Sequence, residues 1–179
     1  MNQKVKMKPS YLKIAFLDRD GTLIKDYPDE KWREIKEPEF LEGSIEGLKR
    51  LKEMGYDFII ITNQYLINDG IISLNDYQQF TGKFLKKLKE ENIDILKIYF
   101  CPHNEKDHCH CKKPKPGMIE QAKKDFLIDM NNSIYIGDSK VDYLLAKHFT
   151  LTFYGINYNG DNVKSYRSIL EISKQIKKI

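Results

Sequence analysis

Two carboxylates stand one residue apart directly after an apolar run near the start of the chain. Asp18 and Asp20 follow residues 12–17, and Gly21 comes next. In an extended stretch these two side chains point to the same side, and the glycine allows a tight turn after them. Carboxylates this close repel each other unless a cation compensates, and oxygen ligands suit Mg²⁺. The pattern predicts a magnesium site; a solvated Asp-Gly turn is the alternative.

Three cysteines and a histidine fall within eleven residues and have the spacing of metal ligands. The four are Cys101, His103, Cys109 and Cys111. An odd, clustered set of cysteines is a poor disulfide framework, whereas four such ligands suit a closed, structural Zn²⁺ site. We expect zinc to hold together a short polar loop over residues 101–111. His108 and His110 are spare candidates that rank below His103, and thiols without a metal are the alternative.

These groups need a scaffold, and the chain alternates apolar strands with helices. The predicted strands are residues 12–17, 57–62, 95–100, 133–136 and 151–154, and the predicted helices are 43–54, 73–90, 117–126, 141–147 and 163–178. This order predicts an α/β fold, a Rossmann-like doubly wound parallel sheet with helices on both faces. Ligands of such sheets bind beyond the carboxyl ends of the strands. We therefore expect three polar turns to converge: residues 18–22, 62–64 and 137–139.

Length and composition narrow the class of protein. The chain has 179 residues, 41% of them apolar and 31% charged, which suits a single domain over residues 1–179 with a real core. The formal net charge of +4 is spread along the chain, so it does not imply a nucleic-acid binder and would suit a small anionic substrate equally well. Residues 1–13 contain no apolar signal segment, and runs such as 58–61 are too short to cross a membrane. We expect a cytoplasmic protein.

Four short motifs in order carry a resemblance to a known family. Residues 16–23 read FLDRDGTL, residues 61–64 read ITNQ, Lys113 follows the cysteine cluster, and residues 135–142 read YIGDSKVD. Together they resemble the motifs of the haloacid dehalogenase-like phosphatases, over residues 14–151. Taken singly, the second motif is an ordinary turn and the lysine an ordinary surface residue. The resemblance implies a magnesium-dependent phosphatase with this α/β core.

The resemblance also implies a role for each motif residue in the reaction. Asp18 would attack phosphorus and form an aspartyl-phosphate. Asp20 would protonate the leaving alkoxide and then deprotonate the attacking water. Thr62 and Asn63 would hydrogen-bond the transferring phosphoryl oxygens, and Lys113 would neutralise the developing charge.

The same resemblance implies the magnesium ligands. They would be a carboxylate oxygen of Asp18, the backbone carbonyl of Asp20, and Asp138. Asp142 lies one helical turn after Asp138, so the two face the same side. We expect Asp142 outside the coordination sphere, where it would hold Lys113 or a metal-bound water; a surface position is the alternative.

The cysteine loop and the segment after it, residues 101–118, narrow the resemblance to a branch without a large cap domain. This branch contains the D-glycero-D-manno-heptose 1,7-bisphosphate 7-phosphatases and the histidinol-phosphate phosphatases. The helix start at residues 116–118 is closer to the heptose enzymes, and the short gap between His103 and Cys109 is familiar from the histidinol-phosphate side. The resemblance implies a monomer acting on a small phosphorylated metabolite, most closely of heptose type. Substrate contacts would come from Asn63, Gln64, Lys112 and Ser139.

Other functions stay open at this point. Histidinol-phosphate phosphatase is the enzymatic alternative, and a catalytically silent phosphometabolite-binding module is the alternative of another class. A 3′-phosphatase for nucleic-acid ends ranks lower because no basic stripe is evident.

Two loops differ in sequence from the enzymes of this branch. Residues 65–70 read YLINDG where heptose-type enzymes have Ser-Gly-Ile-Ala-Arg-Gly, and residues 25–37 match neither subfamily.

Overall fold

A parallel β-sheet forms the centre of the molecule. The computed structural model describes residues 11–160 and 163–176. The strands are β1 (Ile14–Leu17), β2 (Asp57–Asn63), β3 (Ile95–Cys101), β4 (Ile134–Gly137), β5 (Thr152–Ile156) and β6 (Ser165–Tyr166). Their order across the sheet is β3-β2-β1-β4-β5-β6, and every neighbouring pair is parallel. The predicted parallel sheet is confirmed, with β1 near its middle.

Helices cover both faces of this sheet. They are α1 (Ser44–Glu53), α2 (Leu74–Glu90), α3 (Gly117–Asp125), α4 (Lys140–His148) and α5 (Ile169–Gln175). Ala15 and Leu17 of β1 pack in the core under α1, α2 and α5, while Ile14 and Phe16 pack in the core under α3 and α4. Because successive strand side chains point to opposite faces, one short apolar strand supplies both cores. The doubly wound arrangement is therefore confirmed.

The strand directions bring the polar turns to one edge. β1 ends at Leu17, β2 at Asn63 and β4 at Gly137, and these three strands are neighbours in the sheet. Since parallel strands share a carboxyl edge, the residues that follow them meet there. β3 ends at Cys101, so the cysteine loop leaves from the same edge.

The closing helix was predicted wrongly at its start. Residues 163–168 are not helical, because Tyr166 pairs with Ile156 at the open edge of the sheet and forms the two-residue strand β6. The helix begins at Ile169, where the Ser168 hydroxyl accepts a hydrogen bond from the Glu171 N–H as an N-cap. Residues 177 and 178 of that predicted helix lie outside the described part of the chain, as do residues 1–10.

Within the part of the chain that the structure describes, no helix has the length and apolar character needed to cross a membrane.

Candidate active site and metal sites

The three polar turns converge around one cavity of about 230 Å³ at the carboxyl edge of the sheet. The motif residues that line it are Asp18, Asp20, Thr62, Lys113, Asp138 and Asp142. Asp18, Asp20 and Asp138 lie in the segments that follow β1 and β4, and Thr62 lies at the end of β2. Lys113 follows the cysteine loop, and Asp142 lies in the first turn of α4. The structure thus brings together residues as far apart in sequence as Asp18 and Lys113.

A buried lysine stands at the centre of this site. Nζ of Lys113 donates hydrogen bonds to Oδ1 of Asp18 (2.5 Å), to Oδ1 of Asp142 (2.7 Å) and to the carbonyl of Ile61 (3.0 Å). These three bonds use all three ammonium donors. Burial alone would lower the pKa of Lys113, but the carboxylates of Asp142 and Asp18 outweigh it and raise that pKa. The lysine is therefore a fixed positive charge.

Three carboxylates crowd around this lysine. Asp18, Asp138 and Asp142 each place one oxygen within 4.8 Å of the others. Burial raises the pKa of Asp18 well above its usual range; Lys113 opposes this, while Asp142 and Asp138 add to it. Burial, followed by the charge of Asp142, raises the pKa of Asp138 to about 7. One lysine does not neutralise three carboxylates, and a donor set made only of oxygens fits a hard cation such as Mg²⁺.

A glycine allows this close approach. Gly21 has φ of +82°, and a Cβ atom at this position would lie 2.1 Å from Oδ2 of Asp138. Any other residue would push the first turn away from the fourth motif. The glycine thus serves the site twice, through its backbone conformation and through the space it leaves.

Asp142 is fully buried, which excludes the surface position that was the alternative for it. Besides Lys113, it accepts hydrogen bonds from the hydroxyl groups of Tyr135 (2.9 Å) and Ser139. Ser139 is also the N-cap of α4, so its hydroxyl is directed at Asp142 although the residue lines the cavity. These hydrogen bonds fix the Asp142 carboxylate, which in turn holds the Lys113 ammonium in place.

Asp20 is held apart from the other carboxylates by an arginine that the sequence analysis did not single out. Nε and Nη2 of Arg19 each donate to a different oxygen of Asp20 at 2.9 Å, and Nε2 of Gln64 donates to Oδ2 at 2.7 Å. Arg19 is only 1% exposed. Its guanidinium lies within 6.0 Å of three ring centroids, those of Trp32, Tyr77 and Phe80. In the sequence, the only indication that Arg19 has this role was its position as a charged residue close to the end of an apolar strand.

The end of β2 contributes one hydroxyl and one structural amide. Oγ1 of Thr62 accepts from Gln64 (3.0 Å), which leaves the hydroxyl proton free to donate to a ligand. The side chain of Asn63 accepts from the N–H of Lys113 (2.9 Å) and donates to its carbonyl (3.3 Å). Asn63 therefore fixes the backbone that carries the buried lysine.

The cysteine loop forms a second, separate cluster of metal-ligating atoms. Its members are Cys101, His103, Cys109 and Cys111, whose donor atoms all lie within 4.8 Å of one another. Sulfur–sulfur distances of 3.1 and 3.6 Å and Nδ1–sulfur distances of 3.2 and 3.5 Å describe a compact group of four donors. All three cysteines are free thiols. This donor set could hold one tetrahedral metal ion.

The spare histidines stand outside that cluster. His110 pairs with Glu120 on α3 at 2.8 Å, and His108 is exposed. The N–H of Lys112 donates to the sulfur of Cys109 (3.4 Å), so the loop backbone already supports the donor group. Lys113 follows two residues after the last cysteine, which links the cluster to the cavity.

Comparisons with known proteins agree with the order of the motifs and with the fold. The family model described as polynucleotide kinase 3 phosphatase matches residues 13–154, most of the chain. This chain belongs to the haloacid dehalogenase-like phosphatases, the class that this sheet and this site define, and it is an enzyme of that class. Within this class, the chain belongs to the family whose model matches it, described as polynucleotide kinase 3 phosphatase.

Curated relatives at about 40% identity are named as 7-phosphatases of D-glycero-D-manno-heptose 1,7-bisphosphate, of the alpha or the beta form. A D-glycero-alpha-D-manno-heptose-1,7-bisphosphate 7-phosphatase from Photorhabdus laumondii is 42% identical over 144 residues, which cover 76% of this chain and 77% of the relative. A D-glycero-beta-D-manno-heptose-1,7-bisphosphate 7-phosphatase from Pasteurella multocida is 41% identical over 141 residues, covering 75% of this chain and 76% of the relative.

A solved structure shares the fold at lower identity. The D,D-heptose 1,7-bisphosphate phosphatase from B. bronchiseptica, a complex with magnesium and phosphate, superposes with a TM-score of 0.80 at 21% identity. The match covers 92% of this chain and 97% of that one. The two chains therefore have the same fold.

Proposed function

We propose that this phosphatase removes the 7-phosphate of D-glycero-D-manno-heptose 1,7-bisphosphate. The observation that carries the proposal is the buried lysine at the sheet edge, with Nζ of Lys113 bonded to both Asp18 and Asp142. Such a charge beside a carboxylate nucleophile suits a phosphoryl group. The names of relatives about 40% identical supply the substrate.

In the proposed reaction these side chains act in two steps. An oxygen of Asp18 attacks phosphorus, the bond from phosphorus to the sugar oxygen breaks, and an aspartyl-phosphate forms. For this step Asp20 must be protonated, and it gives that proton to the departing alkoxide, so that a neutral alcohol leaves. Asp20 then accepts a proton from water, which attacks the aspartyl-phosphate and releases inorganic phosphate. The Thr62 hydroxyl donates a hydrogen bond to a phosphoryl oxygen, and Lys113 balances the negative charge that develops on the phosphoryl group.

Magnesium would be bound by the oxygens of Asp18 and Asp138 and the backbone carbonyl of Asp20, with Asp142 beside them. When bound, it supplies charge neutralisation at the phosphoryl oxygens. Of these groups, Asp18 and Asp142 are held side by side by hydrogen bonds from the same Lys113 ammonium.

Zinc is the metal that we infer for the cysteine cluster. Three thiolates and one imidazole leave no position for water, so the ion would be structural. It would fix residues 101–111 and, through Cys111, the backbone of the lysine that enters the cavity.

A substrate panel tests the proposed function. Heptose bisphosphate, histidinol phosphate, fructose 1,6-bisphosphate and a 3′-phosphorylated oligonucleotide are each incubated with the protein and Mg²⁺, and phosphate release is measured. We expect the highest kcat/KM for the heptose bisphosphate. We expect Asp18→Asn to abolish release, because an amide cannot act as the nucleophile.

Each other outcome has a definite meaning. Preference for histidinol phosphate or for the oligonucleotide would overturn the substrate and leave the phosphatase class intact. Full turnover by Asp18→Asn would refute the assignment of the nucleophile. Binding of the phosphorylated compounds without phosphate release would identify a catalytically silent binding module.

A further inference from the structure

Three segments that the motifs do not explain meet at the outer end of the cavity. The Tyr65 hydroxyl lies 3.0 Å from both carboxylate oxygens of Asp29, and its ring lines the cavity. Nζ of Lys112 lies 4.9 Å from the centroid of that ring and 2.8 Å from Oε1 of Glu105. One tyrosine thus joins the loop after β1, the loop after β2 and the cysteine loop.

Lys112 is held more firmly than a surface lysine. Its side chain is 15% exposed, while that of its ion-pair partner Glu105 is 87% exposed. An ion pair with so exposed a partner contributes little, because water screens it and the glutamate is free to move. The face of the Tyr65 ring is the fixed surface against which the ammonium rests. An anion from the substrate could replace Glu105 without moving the lysine.

Tyr65 is itself fixed in place. Its hydroxyl donates to Asp29, the first residue of a short 3-10 helix (Asp29–Lys31), so the ring is held at both ends. Burial, together with the hydrogen bond and charge of Asp29, raises the pKa of Tyr65 to about 12, which keeps the hydroxyl a donor.

The negative charges that line the cavity near Tyr65 make the position of Lys112 important for binding a second phosphate. Asp26 and Asp29 line this end, and the cation among the lining residues, Lys113, is already bonded to Asp18 and Asp142. A second phosphate entering here would face two carboxylates. Lys112 is not itself among the lining residues, but its ammonium lies against the ring of Tyr65, which is. Its position therefore decides whether a free cation is within reach of such a group.

We propose that Tyr65 is a specificity-determining residue, whose ring positions the Lys112 ammonium to bind a second anionic group of the substrate. This inference rests on the proposed function, because it needs a substrate with two phosphates. Tyr65 does not touch the reacting atoms; it acts through Lys112.

The experiment compares a bisphosphate with an ester that has no second anion. Steady-state kinetics with heptose bisphosphate and with p-nitrophenyl phosphate are measured for wild type, Tyr65→Leu, Tyr65→Phe and Lys112→Met. Loss of the ring should raise KM for the bisphosphate about fivefold at nearly constant kcat, with a much smaller effect on p-nitrophenyl phosphate. Tyr65→Phe keeps the ring and should restore most of the lost affinity. Lys106→Met, at an exposed position of the cysteine loop, is the matched control for loss of a charge.

A double-mutant cycle separates positioning from general damage. If Tyr65 acts through Lys112, Tyr65→Leu should change KM little once Lys112→Met is present. Equal losses on both substrates, or effects of the two substitutions that multiply, would overturn the role of Tyr65 while the phosphatase stands. Wild type that hydrolyses p-nitrophenyl phosphate but no bisphosphate would instead refute the proposed substrate, and the inference with it.

Discussion

At the scale of single residues, the site depends on how each carboxylate is held. Asp18 is bonded to a lysine, whereas Asp20 has both oxygens on an arginine and a third bond from Gln64. Neighbouring aspartates of the same turn therefore have different environments, which supports the proposal that they take different roles in the reaction. Arg19 is a positioning residue in this view.

We expect Arg19→Lys to lower kcat about tenfold and to change KM less than threefold. Lysine keeps the charge but not the two parallel hydrogen bonds, so the Asp20 carboxylate would be less well oriented for proton transfer. Steady-state kinetics on the preferred substrate measure the effect. Thr81→Val is the control, because it removes the 3.4 Å hydrogen bond from Nη1 of Arg19 and leaves the two bonds from Arg19 to Asp20 in place. A lower melting temperature with unchanged kcat in Arg19→Lys would mean that the arginine is only structural.

At the scale of elements, the cysteine loop connects β3 to the cavity, and one glycine allows the close contact between α1 and α5. The loop leaves β3 at Cys101 and returns to the cavity at Lys113, where Asn63 of β2 binds its backbone. On the opposite face of the sheet, α1 and α5 approach each other closely at Gly47, where a Cβ atom would lie 2.4 Å from the backbone nitrogen of Leu170.

Loss of the loop metal should reduce both stability and activity. Cys109→Ser removes one donor, so we expect less than one zinc per chain and a melting temperature roughly 5–10 °C lower. Phosphate release should fall as well, since Lys113 would lose its support. Metal analysis and thermal melts are the measurements, and His110→Ala, whose ring pairs with Glu120, is the matched control. A zinc-free wild-type protein that is folded and active would refute the structural metal.

Two glycine substitutions test the packing of the helices. Gly47→Ala should destabilise the fold by about 1–3 kcal/mol, because the new methyl group meets the backbone of α5. Gly82→Ala, in α2 with open space around it, should stabilise by about 0.5–1 kcal/mol through helix propensity. Chemical denaturation of both variants gives the two values. Equal effects would show that α1 and α5 are not in close contact.

At the scale of the whole molecule, the fold gathers negative charge at one edge of the sheet. The chain carries a formal net charge of +4, yet its cavity is lined by carboxylates with Lys113 among them. The positive charge is spread over the rest of the surface. This arrangement couples the stability of the fold to pH and to a divalent cation.

The pH dependence has a definite sign. Burial and Asp142 raise the pKa of Asp138 to about 7, above its ordinary value of 3.8, so the metal-free folded state binds the proton more tightly than the unfolded state. This group therefore favours the fold below about pH 4, and that contribution is lost as the pH rises to about 7.

Magnesium should offset this loss because it favours the ionised carboxylates. We expect Mg²⁺ to raise the melting temperature more at pH 8 than at pH 5. Thermal melts with and without Mg²⁺ at both pH values measure the difference, and Asp138→Asn should remove most of it. An equal magnesium effect at the two pH values would contradict the coupling.

Much of the fold and of the candidate site could be predicted from the sequence, because the patterns that indicate them lie within short stretches of the chain. Asp18, Asp20 and Gly21 follow directly after an apolar strand, and the cysteine–histidine spacing is contained in eleven residues. The capping box of Ser73 and Asp76 at the start of α2 belongs to the same class of signal. Strand β6 was missed because two residues at a sheet edge have no periodicity to detect; only the neighbouring strand makes them a strand.

The sequence alone determined the parallel sheet, the class of enzyme and the residues of its motifs, since each rests on residue types and spacings within a short stretch. Only the tertiary structure decided how these groups are held. Gln64 binds Asp20 across 44 residues of sequence, and Tyr65 meets Asp29 across 36. Such contacts depend on which loops the strand order brings to one edge, and no local pattern records that order.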